Sequence, residues 1–573
     1  MKKFWIVLIC LAVVFAFGLG IVWRLVTQFE PESVRAEGVI HWRVNSAYAE
    51  ERDDSIVGQV MHGRPPVMRE VVLALARAAQ DSRIEGLLLD ISALPVDWAK
   101  VEELRDGVAA FAESGKPVVA FMEVGSTKEY ALAVAANDIV MAPEGNLMVL
   151  GVSAELTFLK QTLSKLGMEA DFVHVGQYKS APEQLTREAP SLASREMAEA
   201  IITERYETLL DMISRGRGQS LATVREWVDT GVYDAGGALS AGLVDSVLCL
   251  EEVQDQYFPD AQFTDLEDYI YSVQGGRATT KIALIHVTGT IVSGESRFDN
   301  FQGKLAGSQT VIEQLQDARE TDDIAAVILR VDSPGGSAGA SDLIWHELER
   351  LRQEKPVFVS MSGYAASGGY YISCGADSIF AEPGTLTGSI GVYAGKVSME
   401  GLYNKIGVHR EYITRGENAL LFNNNAVFSP GQRDRMQFLL DSFYERFCTK
   451  VAEGRSLDME TTHEIAQGRV WTGAQAQATG LVDGLGGLSR TLRAAKLWLG
   501  MDPTDRVGIV SYEKQLTFFE RMLIRSFHKS VQTALPAPPV QMSAVWQQDG
   551  SLAALSLLDG RTVALMPWRI HFE

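Results

Sequence analysis

The sequence predicts an α/β protein made by tandem duplication of one strand–helix unit and preceded by a single transmembrane helix. Three observations carry this. Short apolar runs of strand character alternate with amphipathic helical runs along most of the chain. The sequence matches itself when shifted by 240 positions. Phe4–Trp23 (FWIVLICLAVVFAFGLGIVW) is twenty residues without a charge, long enough to cross a hydrocarbon core of about 30 Å as a helix.

In chain order, residues 1–28 read as an N-terminal anchor. Lys2 and Lys3 before the apolar run favour a cytoplasmic N-terminus, and Arg24 after it weakens that bias. A cleaved signal peptide is the alternative, but no small-residue cleavage site precedes the polar Gln28–Glu32 segment. Either reading puts the bulk of the chain outside the cytoplasmic membrane. The first α/β copy is expected over 36–273: a strand at Val39–Val44, a helix at Val71–Ala79, a buried strand at Ile84–Ile91 (IEGLLLDI), a helix at Val101–Ser114 and a strand at Pro117–Met122. Gln274–Thr280 (QGGRATT) is a polar, glycine-containing link. The second copy, 281–500, opens on a strand at Ile282–Ile291. Residues 503–573 form a C-terminal extension without counterpart in the repeat. Its expected parts are a helix at Lys514–Leu535, packed on the domain, on a neighbouring subunit or on a membrane surface, a linker at Ala534–Val540 and a strand in the closing TVALMPWRIHFE.

Composition removes several function classes. At 573 residues the chain is too long for a single core. A net charge of −21 argues against a nucleic-acid partner, which needs basic surface. Cys10, Cys249, Cys374 and Cys448 are isolated, and the nine histidines show no ligand spacing, so no metal or cofactor is expected.

The repeat register is dense. Ile84 falls on Ile324, Ala136 and Ile139 on Ala376 and Ile379, Pro143 on Pro383, and Gly151-Val152 on Gly391-Val392. Near the ends the shift drifts slightly, and Ala241–Asp245 matches Thr479–Asp483.

Chemistry is sought where the copies differ. Ser389, in Glu382–Gly395 (EPGTLTGSIGVYAG), falls on Val149, so only the second copy holds this nucleophile. Ser333–Gly336 (SPGG) falls on Ala93–Val96, so only the second copy has the paired glycines. Conversely Lys179, in VGQYKSAPE, falls on Ala419. These complementary losses predict one composite site. Ser389 is the nucleophile, and Lys179 the general base, on condition that burial lowers its pKa. Gly336 is the oxyanion donor, with Gly335 allowing a strand-to-helix turn beside the helix at Ala338–Gln353. No histidine occupies a matching place, which disfavours a Ser-His-Asp triad, and TGSIG is not the GxSxG elbow. Within Ser362–Asp377, the run Ala365–Gly369 is expected to let a helix approach its neighbours closely, and Ser362 and Gly363 are candidates for lining a substrate groove.

SPGGS, SGYAASGGYYISCGAD and GTLTGSIGVYAG, with GQYKSA in the preceding copy, resemble the long form of the bacterial signal peptide peptidase A (protease IV) family. The resemblance covers nearly the whole chain and implies Ser/Lys-dyad peptidases with a Clp-protease/crotonase-like spiral ββα fold. It implies Ser389 as nucleophile, Lys179 as base, a homotetrameric bowl facing the bacterial inner membrane from the periplasmic side, and cleaved signal peptides as substrate. Two other readings stay open at this point: a crotonase-like thioester enzyme using the same oxyanion turn, and a non-catalytic envelope scaffold.

Overall fold

A computed structural model describes residues 36–52, 65–273, 278–299, 302–512 and the backbone of 563–565. The expected anchor, part of the link, and the helix and linker expected over 514–540 lie outside the described residues. No helix among the described residues is long and apolar enough to cross a membrane.

The run Leu87–Leu89 is fully buried because it forms the middle of a strand, Ile84–Ile91, covered on both faces. Each such leucine contributes about 2 kcal/mol by leaving water. Parallel neighbours surround the strand. The first sheet runs in the order Val232–Asp234, Asp138–Met148, Val118–Gly125, Ile84–Ile91, Gly38–Val44, Phe263–Asp265. A second sheet repeats this order with Val470–Thr472, Leu386–Gly388, Val357–Ala366, Ile324–Ser333, Lys281–Thr288 and Gly508–Ser511. The helices repeat as well. Met68–Gln80 recurs as Ser308–Glu320, Trp98–Ala112 as Ala338–Arg352, and the 26-residue Leu192–Arg217 as the 26-residue Pro430–Arg455. The start of the last is written in the sequence: Ser429 caps it, Pro430 opens it, and Gln432 closes a capping box.

Two expectations are corrected. Ile282–Ile291 is not one strand but two, Lys281–Thr288 and Thr290–Val292. Gly289 separates them at φ +83°, and an added Cβ there would lie 1.9 Å from the Lys304 carbonyl oxygen. The Ala365–Gly369 run is not helical throughout. Its strand continues to Ala366, the backbone bends at Ser367, and a short helix, Gly368–Ser373, follows. The glycines do permit close approach, since a Cβ on Gly369 would meet the Ser333 carbonyl oxygen at 2.7 Å.

Charge buried between the copies ties them together. Arg330, 1 % exposed in the core strand Ile324–Ser333, binds Glu50 of the first copy through Nε (2.9 Å) and Nη2 (3.0 Å). It also binds Glu103 Oε2 at 2.5 Å and Ser360 Oγ at 2.8 Å. The helix Trp98–Ala112, capped by Asp97, carries Glu102 and Glu103 into this interface. There the Glu102 carboxylate accepts the Gly384 N–H at 2.7 Å and so braces the turn leading to Ser389. Burial pushes the Glu102 carboxyl up to about 8. Glu382 goes further: burial, with Asp106, Glu103 and Glu102 nearby, raises its pKa well above the ordinary range. Among the described residues neither of its carboxyl oxygens has a hydrogen-bond partner.

A folded-state pKa above the unfolded one means that the native protein holds the extra proton. Stability attached to Glu382 is therefore full below about pH 4.3 and falls as pH rises toward the raised pKa. Glu382→Gln is expected to flatten this descent, so that its melting temperature exceeds wild type more at pH 8 than at pH 5. Parallel melting curves at the two pH values would contradict this.

Candidate active site

Strand pairing across the copies brings the site together. Glu169–Val175 of the first copy pairs antiparallel with Val392–Ser398 of the second, with Val175 opposite Val392. In an antiparallel pair, chain running on from Val175 travels beside chain running back from Val392. Lys179 and Ser389 therefore meet just beyond the end of the ladder. Lys179 Nζ lies 2.9 Å from Ser389 Oγ, 2.9 Å from the Ser389 carbonyl oxygen and 2.8 Å from Ser367 Oγ. The approach needs a glycine on the far side: a Cβ on Gly468 would sit 2.6 Å from the backbone nitrogen and Cβ of Lys179.

Both side chains are removed from solvent, Lys179 at 1 % exposure and Ser389 at 0 %. Burial alone pushes the Lys179 ammonium well below the ordinary lysine range, the condition a lysine base requires. Ser389 holds a left-handed backbone, φ +51°, with its N–H donating to the Arg469 carbonyl at 2.7 Å. For a serine this costs about 1–3 kcal/mol and occurs mainly where surrounding structure enforces it. At the protein surface beside Lys179, Arg469 binds Glu196 at 2.8 Å and lies over the rings of Tyr178 and Trp471.

The turn expected to hold the oxyanion donor adjoins the pair. Gly335–Ser337 is a short strand leading into Ala338–Arg352. Gly335 donates its N–H to Ser333 Oγ at 3.2 Å, which leaves Gly336 as the donor candidate. Only glycine fits there, because a Cβ on Gly336 would lie 2.0 Å from the Ile291 carbonyl oxygen. The Gly336 nitrogen is also 3.1 Å from where a Cβ on Gly368 would stand, so the turn packs directly on the Ser367–Gly368 bend. From the C-terminal extension, the strand Val563–Leu565 lies antiparallel to Gly335–Ser337, and its Val563 pairs with Tyr393. A strand from this chain's own tail thus fills the space between Gly335–Ser337 and Val392–Ser398.

Ser362 and Gly363 are corrected as groove candidates. Ser362 is 1 % exposed and gives its hydroxyl to Glu50 at 2.6 Å. Gly363 is buried against Asp97, whose carboxyl carbon would be 2.6 Å from an added Cβ. Both serve the contact between copies. The sequence reading missed Ser367, Gly468 and Glu102. Only the first carried a signal, a hydroxyl inside a run of small residues.

The sequence profile described as Peptidase family S49 matches residues 110–262 and 349–501, one stretch in each copy. The chain is similar to the chloroplastic serine protease SPPA of Arabidopsis thaliana, 34 % identical over 456 residues that span 77 % of this chain and 67 % of that one. It is similar to Protease 4 of Salmonella typhi, 33 % identical over 514 residues, 85 % of this chain and 81 % of that one. A putative signal peptide peptidase SppA of Enterococcus faecium is 35 % identical over 217 residues, 38 % of this chain and 62 % of that one.

Proposed function

This chain belongs to peptidase family S49 and is a serine peptidase, and we propose that Ser389 and Lys179 are its nucleophile and general base. The reading rests on one observation, the 2.9 Å approach of a buried, uncompensated amine to a buried hydroxyl. As Ser389 Oγ attacks the scissile carbonyl, its proton passes to neutral Lys179. The Gly336 N–H receives the oxyanion, a contribution of about 3 kcal/mol for such a donor. The Lys179 ammonium then returns the proton to the departing amine as the C–N bond breaks. Water, deprotonated by the same amine, hydrolyses the acyl-enzyme.

The substrate is a hydrophobic peptide of the cleaved signal-peptide kind, in keeping with the name carried by the Enterococcus faecium relative. It binds extended, in the place where Val563–Leu565 pairs with Gly335–Ser337. The finer architecture belongs to the same proposal: a Clp-protease/crotonase-like spiral in each copy, a homotetramer, and anchoring to the bacterial inner membrane by Phe4–Trp23 with the catalytic bulk in the periplasm. The thioester alternative loses ground because the family is one of peptidases.

A fluorophosphonate probe tests the dyad. Wild-type protein should take up one adduct, located by peptide mass at Ser389, and Ser389→Ala none. Undiminished labelling of the alanine variant, or an adduct on another serine, refutes the assignment.

A further inference from the structure

We infer that Ser367 is a positioning residue for the reaction, the acceptor that turns the Lys179 lone pair toward Ser389. The inference rests on the dyad reading above. A neutral amine has two N–H bonds and one lone pair, and Lys179 Nζ has three partners within 2.9 Å. The Ser389 carbonyl oxygen can only accept, so it takes one N–H. If the lone pair is to receive the Ser389 proton, the second N–H must go to Ser367 Oγ. After transfer the ammonium keeps both of these bonds and points its new N–H at the reacting atoms. The amine therefore does not rotate between the two halves of the cycle.

The repeat supplies an internal comparison. Ser367 precedes the helix Gly368–Ser373, and at the shift of 240 it falls on Thr127, the first residue of the matching helix Thr127–Ala133. Thr127 is ordinary: it opens a regular helix, holds no positive φ, and its Oγ1 accepts the Leu150 N–H at 3.0 Å. Ser367 stands at φ +55°, ψ −111°, a conformation serine rarely adopts, with 0 % exposure and its N–H donating to the Gly388 carbonyl at 2.7 Å. Both copies thus place a hydroxyl residue here, and only the copy holding Ser389 bends its backbone to positive φ, beside both the oxyanion turn and the peptide preceding Ser389. Strain confined to the working copy points to a functional cause rather than to helix capping. Among the described residues no charged group shares the task. Burial alone sets the amine, and Glu196 and Arg469 on the flanking elements are bound to each other.

Two substitutions separate hydroxyl from backbone. Ser367→Gly relieves the positive φ and removes the hydroxyl, whereas Ser367→Ala removes the hydroxyl and keeps the strain. Both should lower kcat about 100-fold, the scale of a misdirected catalytic group, with KM within twofold. Because the lost bond favoured the ammonium, the acid limb of the kcat profile should move to lower pH in both. Ser367→Gly should do so while melting at or above the wild-type temperature. A wild-type kcat and pH profile in either folded variant overturns the inference, as does a loss that tracks only the fraction of folded protein. If Ser389→Ala or Lys179→Met stays active, the dyad itself has failed. If those are dead and Ser367→Gly is normal, only this inference has.

Discussion

Lys179→Met is expected to lower peptide hydrolysis by about 10⁴-fold or more, the loss seen when a member of a nucleophile–base unit is removed, while changing how stability depends on pH. The two effects share a cause. The amine is 1 % exposed, and its burial depresses the pKa of the ammonium. Between that depressed pKa and the ordinary lysine value near 10.4, the unfolded chain binds one proton more than the folded one. Stability from this site is therefore complete only at high pH and is lost as pH falls through that window. Methionine fills a similar volume without a proton to bind, so relative to wild type the variant should gain stability progressively as pH is lowered. It forfeits three hydrogen bonds at every pH, which shifts the comparison by a constant and leaves the slope. Melting curves from pH 6 to pH 9, set beside turnover of a hydrophobic peptide, read both effects. Residual activity of a few per cent, or a melting difference independent of pH, would remove Lys179 from the role of base.

A duplicated chain reports function by contrast: Ser389 against Val149 and Lys179 against Ala419 are differences at a fixed shift, visible because each copy shed what the other retained. The fold was legible for a related reason. IEGLLLDI and the segment beginning at Ile324 are apolar runs too short for helices, bounded by polar residues, and both became central parallel strands. Ser367 escaped notice because its counterpart Thr127 is also a hydroxyl residue, so contrast between the copies is weak there. A hydroxyl residue stands at both positions, but Thr127 opens a regular helix whereas Ser367 stands at φ +55°. Side-chain identity does not encode that bend. Gly388 holds it by accepting the Ser367 N–H, and close packing of Gly368 and Gly369 on Ser341 and Ser333 completes the setting.

The interface was hidden for a different reason. Arg330 interrupts an apolar strand, which marks it as unusual, but its partners Glu50 and Glu103 lie in the other copy, 280 and 227 positions away. Periodicity and motif spacing carry no information over such separations. The same holds for Glu102, whose contact with Gly384 braces the nucleophile's turn from the opposite half.

Arg330→Met accordingly tests whether the two halves are held in register by charge. Removing the guanidinium leaves Glu50 and Glu103 in the interior, at 3 % and 4 % exposure, without their shared cation. An uncompensated buried charge costs about 3–5 kcal/mol, a large part of the 5–15 kcal/mol that holds typical domains folded. Lys100 offers limited relief: its Nζ is 3.7 Å from Glu50 Oε1 and already serves Asp332 at 3.0 Å. Expected results are a fall in denaturation midpoint and early proteolysis between the copies. Activity should fall more than the melting temperature implies, because Lys179 reaches Ser389 only while the halves stay docked. The triple variant Arg330→Met, Glu50→Gln, Glu103→Gln removes cation and anions together and should recover much of the stability, since the cost lies in charge left unpaired rather than in lost attraction. If the single variant melts like wild type, or the triple variant is no better than the single, the halves are held by apolar packing and the buried ions are incidental to the placement of the lysine.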